Sequence, residues 1–160
     1  GYLQGRCSAM TSDRSQLAAA RSGFKNPKEH TILNEVLSKE PLAPASDGQD
    51  QKLADAMRWV IFALISAEEK GITQSNIDEK VRLAKKNPQL KPLRRFLGID
   101  GDLGAKVGLS NDFVINVINS TGNYGEIYER HLGTNSKVSI PRGLNELYNK
   151  GGIHISPPFN

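Results

Sequence analysis

Apolar positions recur at helical spacing through most of the chain. Leu53, Ala56, Met57, Val60, Ile61, Leu64 and Ile65 fall three or four apart and form one stripe, which predicts a helix of about 20 residues. Asp50 is placed to cap its start and Gly71 to stop it. Ser75-Asn76-Ile77-Asp78 opens a second helix with a capping-box-like start, ended by Asn87-Pro88, and a third runs from about Pro88 to Leu97 ahead of Gly98. Ser110 caps a helix over 111–120, and Asn123 opens another that reaches Leu132, in which Glu126 can reach back to the cap. A short helix over 144–149 is closed by Gly151-Gly152, and the tail through Pro157-Pro158 is extended.

The first 45 residues read differently. Residues 6–12 and 31–37 predict two short strands, the second with imperfect alternation. Between them Ser12 or Asp13 caps a helix through Ser15–Ala20 that Gly23 stops. Glu40-Pro41-Leu42-Ala43-Pro44 is extended, because a residue before proline avoids the helical region. Two strands alone are marginal in water, so this arrangement points to further N-terminal sequence that would complete a sheet. A complete helical protein with a small β-ribbon is the alternative.

Composition narrows the class only slightly. At 160 residues, 38% apolar and 24% charged, the chain suits one domain or a piece of something larger. A net charge of +4 does not by itself imply a nucleic-acid partner. The single cysteine, Cys7, excludes a disulfide within the chain and reads as a small buried apolar residue in a strand. The apolar run Trp59–Ile65 is far too short to span a membrane, and Gly1–Arg6 has no signal-peptide core. An exported protein would carry its signal upstream of residue 1.

Candidate chemistry is sparse. His30, His131 and His154 lack metal-ligand spacing, and no HExxH, CxxC, GxSxG or phosphate-loop pattern occurs. Asp100-Gly101-Asp102 lacks the later ligands of a calcium loop, and the adjacent Glu68 and Glu69 face different directions on a helix. These features point away from an enzyme and call for no cofactor and no metal. Residues 80–95 are strongly basic but have no interleaved aromatic for base stacking, so they read as a solvated face. The most informative polar residue is Asp13, a carboxylate at the end of a predicted strand just before a helix. It either caps that helix or holds a ligand ammonium.

Several segments, taken in order, carry a family resemblance. Gly5–Ser15 resembles the "GRCDAYTTDxS" strand and turn of the general (polar) L-amino-acid-binding proteins of ABC importers, a branch of solute-binding protein family 3. Ile32–Pro44, centred on Ser38-Lys39-Glu40-Pro41-Leu42, is similar to their "ISKEPLGP" stretch, and Arg58–Thr73 to their "RWxxxALIxAEExGIT" helix. Arg95–Gly98, Asp102–Gly104, Gly122–Arg130, Pro141–Asn145 and the Gly151–Phe159 ending also look like family signatures. The resemblance implies an α/β, type II periplasmic-binding-protein-like fold, of which this chain is a C-terminal fragment with few strands and a mostly helical extension. Residues 1–38 would be the strand–helix–strand end of the second ligand-binding lobe, 39–45 an interlobe crossing segment, and 46–160 the return to the first lobe with the helical extension.

By the same resemblance, Asp13 holds the ligand's α-ammonium, and the partners are an L-amino acid, the membrane permease of an ABC importer and the missing N-terminal part of the same protein. No nucleic acid is implied. The location would be periplasmic or otherwise extracytoplasmic. Ser8 stands where an acidic residue is more usual, and Arg14 where a smaller polar one is common, which bears on side-chain preference. From another class, the alternative is a stand-alone helical nucleic-acid-binding or scaffold protein using residues 80–95. A glycan-active enzyme using Glu126 is weaker still, because capping explains that residue.

Overall fold

The computed structural model describes residues 1–38 and 41–159. Seven α-helices are found among them: α1 (Arg14–Ser22), α2 (Gln51–Glu69), α3 (Ile77–Lys86), α4 (Lys91–Phe96), α5 (Leu103–Lys106), α6 (Phe113–Thr121) and α7 (Tyr124–His131). Single 3-10 turns cover Tyr2–Gln4, Pro27–Glu29, Gly143–Asn145 and Tyr148–Lys150. The chain divides into two compact units. One gathers Gly1–Leu42 and Glu129–Pro141, and the other Ala43–Tyr128 and Arg142–Asn160.

The second unit is built around α2. Asp50 caps it as the spacing requires, its carboxylate accepting from the Leu53 amide at 2.9 Å. Gly71 ends it in the left-handed region, with φ 61°, and this lets the Ile72 amide turn back to the Ala67 carbonyl at 2.8 Å. The apolar stripe of α2 packs on α6, and α3 packs on α4 and α6. Ala63, Ala67, Ile72, Ile77, Phe96, Leu97, Val114 and Ile118 form the dry centre of this core. Gly98 is required twice over. Its φ is 67°, and a Cβ there would collide with the Asn111 carbonyl, so the chain after α4 passes directly against the loop before α6.

The tail is docked rather than free. Phe159 is buried, with its ring edge-on to Trp59 at 5.2 Å and to Phe96 at 5.0 Å, and the Ser156 amide donates to Glu69 at 3.1 Å. The predicted helix over 144–149 is replaced by two 3-10 turns, and an isolated parallel bridge joins Leu147 to His154. Burial of Leu147 sets that path, so the polar–apolar pattern there serves one anchor rather than a helical face.

The first unit departs further from the sequence reading. No strand occurs among the described residues, so the expected strands at 6–12 and 31–37 are not formed. Every residue from Arg6 to Ser12 is exposed, and Leu33, Val36 and Leu37 stand 68, 70 and 87% exposed. The physical reason is pairing. A strand satisfies its backbone only through a neighbour, and neither segment has one here. Cys7 is exposed as well, correcting its reading as a buried strand residue. Lys39 and Glu40, part of the expected crossing segment 39–45, lie outside the described residues.

Candidate functional site

Asp13 occupies the N-cap position of α1, with φ −54° and ψ 142°, and its carbonyl accepts from Leu17 at 2.9 Å. Its side chain makes no capping hydrogen bond. Ser12, the other candidate cap, donates instead to Gln16 at 2.6 Å. The half-buried Asp13 carboxylate is therefore at the start of a helix, where the backbone dipole favours an anion, and is not used up by capping. Ser8 and Arg14 are both exposed. Nearby order in this unit comes from an aromatic cluster: Tyr2 Oη lies 2.7 Å from His30 Nδ1, and Phe24 stacks edge-on to the same imidazole at 4.7 Å.

The histidines are kept apart in role. His30 belongs to that cluster, His131 faces Arg130 at 3.3 Å, and His154 packs on Tyr124 at 4.5 Å. Among the described residues no group of three or more histidine, cysteine or carboxylate side chains is placed to hold a metal ion. Asp100 is gripped by the Arg94 guanidinium through two 2.7 Å bonds, and Asp102 by Lys106 at 2.9 Å. Those hydrogen bonds hold both carboxyls below the ordinary aspartate range. Arg94 also donates to the Ala84 carbonyl at 2.8 Å, which withdraws it from the basic 80–95 face and makes it a tie between α3 and α4. Glu126 does what its spacing predicts: its carboxylate accepts from the Asn123 amide at 2.8 Å, while Asn123 Oδ1 accepts from the Glu126 amide at 2.9 Å. It also accepts from Gln74 at 3.1 Å, and buried Asn123 donates to Ile72 at 2.8 Å, so this cap pins the α2–α3 turn.

Sequence reasoning missed the most heavily coordinated side chain. Arg142 forms a two-pronged ion pair with Glu68, donates to the Asn145 carbonyl at 2.7 Å, and lies 5.6 Å from the ring centres of both Tyr124 and Tyr128. Glu146 adds a carboxylate at 3.5 Å. Burial opposes the guanidinium charge, but the Glu68 hydrogen bond and charge outweigh it and raise the Arg142 pKa above the usual value. Burial, and then the Arg142 charge, push His154 below the ordinary histidine value. Gly125 leaves the space for this cluster, since a Cβ there would stand 2.8 Å from the Glu68 carboxylate. Its chemistry is that of a clamp, tying the Arg142–Asn145 turn to α2. The two partners are 74 positions apart, and no local pattern announces them.

No known protein-family profile matches the sequence. Individual proteins do. The chain is 49% identical over 159 residues to the general L-amino acid-binding periplasmic protein AapJ of Rhizobium johnstonii, an alignment covering 98% of this chain and 45% of that protein. It is 41% identical over 158 residues to the glutamate/glutamine/aspartate/asparagine-binding protein BztA of Rhodobacter capsulatus, covering 99% and 46%. In three dimensions it matches an ABC transporter periplasmic binding protein from Brucella ovis, solved with glutathione bound, with a TM-score of 0.90 and 42% identity over 99% of this chain and 49% of that one. The chain thus spans about half the length of the relatives it matches. Over that half it is a homologue of the amino-acid-binding periplasmic proteins of ABC transporters.

Proposed function

We propose that this chain is the C-terminal part of an extracytoplasmic solute-binding protein, which captures an L-amino acid between two lobes and delivers it to the permease of an ABC importer. The observation that carries this reading is the alignment of 98% of the chain, at 49% identity, with a general L-amino acid-binding periplasmic protein. Residues 1–38 then belong to the second ligand-binding lobe, 39–45 to an interlobe crossing, and 46–160 to the first lobe and its helical extension. Within an intact sheet, segments 6–12 and 31–37 become the strands that their sequences favour. Exposed Met10, Leu33 and Val36 supply the apolar side chains that such a sheet would cover.

In this reading the missing N-terminal part of the same protein is an obligate partner, because it supplies the opposing wall of the pocket and the contacts for the ligand carboxylate. Asp13 supplies the charge-assisted contact to the α-ammonium, and its freedom from capping suits that task. The protein acts by binding rather than catalysis, and its signal peptide lies upstream of residue 1. The basic 80–95 face loses ground as a nucleic-acid surface, since Arg94 is spent inside the fold.

A thermal-shift panel tests the proposal. With millimolar glutamate, glutamine or arginine, the 160-residue chain should show no shift in melting temperature, while the intact-length protein should be stabilised by at least one of them. Stabilisation of the isolated chain, or of neither form, contradicts it.

A further inference from the structure

The second unit carries an apolar groove of about 310 Å³ that none of the sites above uses. Leu83, Leu90 and Leu93 wall it over the buried Ile72, and Lys70 and Lys80 line it too. Leu83 lies between the basic positions of α3 and is 43% exposed. The Lys70 ammonium is held in place by the Ser66 hydroxyl at 2.7 Å and by the Phe96 ring, whose centre is 5.0 Å away. The ion pairs formed among the described residues include neither Lys70 nor Lys80. Exposed Lys85, Lys86, Lys91 and Arg95 extend the positive field along α3 and α4, against Asp78 and Glu79 in the first turn of α3.

An open groove of this kind does not enclose a small molecule, because ligand sites bury most of their ligand's surface. It suits one side chain presented by a larger partner, and the sign of its lysines selects the neighbours of that side chain. We propose that this groove docks an acidic segment of a protein partner, with one leucine-like side chain seated among Leu83, Leu90 and Leu93 and flanking carboxylates meeting Lys70 and Lys80. Burial lowers the Lys70 pKa from the ordinary lysine value, partly offset by the Glu69 charge, and a carboxylate arriving there would favour the charged ammonium. The apolar contact supplies affinity and the charges supply choice of partner. The inference does not depend on the ligand-binding role of Asp13.

The test uses the 160-residue chain with a fluorescent synthetic peptide of glutamates and aspartates around one central leucine, read by anisotropy and by methyl NMR. Saturable binding is expected, weakening as salt rises, with methyl shifts at Leu83, Leu90 and Leu93. Lys80→Glu and Leu83→Gln should each weaken it about tenfold. Lys80→Gln provides a gentler variant should either of these fail to fold. Equal binding of the same peptide with serine at its centre would reduce the effect to bulk charge attraction and overturn the proposal. So would shifts confined to Leu33, Val36 and Leu37, an unaffected Lys80→Glu, or a free leucine-like carboxylate binding as tightly as the peptide.

Discussion

The two units use their apolar side chains in different ways. In the unit of Ala43–Tyr128 and Arg142–Asn160, apolar residues on α2, α3, α4 and α6 meet one another, and Phe96, Ile72, Ile77, Leu97 and Ile118 are at most 1% exposed. In the unit of Gly1–Leu42 and Glu129–Pro141, Ala18 and Ile140 are buried, while Leu3, Leu33, Val36, Leu37 and Leu42 stand at least 68% exposed. The contrast follows from the kind of structure each sequence favours. A helix closes its own hydrogen bonds and needs only a face to pack, whereas a strand needs neighbours for both backbone and side chains. One unit therefore closes a core of its own, and the other leaves many of its large apolar residues exposed.

The sharpest way to break this comparison is to truncate one large apolar side chain in each unit. Phe96→Ala should cost about 3–5 kcal/mol of unfolding free energy in urea, and Leu37→Ala less than about 0.5 kcal/mol. Comparable losses at the two sites would mean that the first unit is packed after all. Next in size is the Arg142 clamp. Glu68→Gln takes the two-pronged counter-charge from a nearly buried guanidinium, leaving only the longer Glu146 contact, and should cost about 3 kcal/mol, freeing the tail so that the Trp59 fluorescence beside Phe159 changes. Wild-type stability with an unchanged spectrum would remove the clamp from the account.

A smaller effect is expected from the cap of α2. Asp50→Ala should lose about 1 kcal/mol, and Asp50→Asn much less. The smallest is a pH dependence. Because His154 titrates below 6.5 in the fold, its neutral form is the stabilised one. Its contribution is complete above the unfolded-state value and is lost as pH falls through the lower folded-state value. Arg142 opposes its protonation and Glu68 favours it, while the Glu146 carboxylate is drawn to Arg142 at 3.5 Å. Stability should therefore decline as pH falls below 6.5 more steeply than in His154→Phe, as read from melts in matched buffers. Parallel curves would count against it.

What was legible in the sequence divides along the same line. The α2 stripe with its Asp50 cap, the Gly71 stop and the Asn123–Glu126 box are local devices, written within a few residues and formed as written. The strands at 6–12 and 31–37 carry a local preference whose fulfilment depends on distant partners, so the preference is present and the ladder is not. The Arg142–Glu68 pair and the docking of Phe159 on Trp59 and Phe96 join positions far apart in sequence. Only the folded path reveals them. The four-residue α5, set by the close approach of Gly104 to Ser110, has no stripe to betray it. Asp13 is intermediate: its place ahead of a helix was readable, but that its carboxylate leaves the cap unused was not.

The most direct test of the central claim is titration calorimetry on the intact-length protein and its Asp13→Ala variant, with the amino acid that the thermal-shift panel selects. If Asp13 holds the α-ammonium, the variant should lose at least about 2 kcal/mol of binding free energy, roughly thirtyfold in affinity, while its melting temperature without ligand stays unchanged. Equal affinities for the two proteins would contradict the assignment.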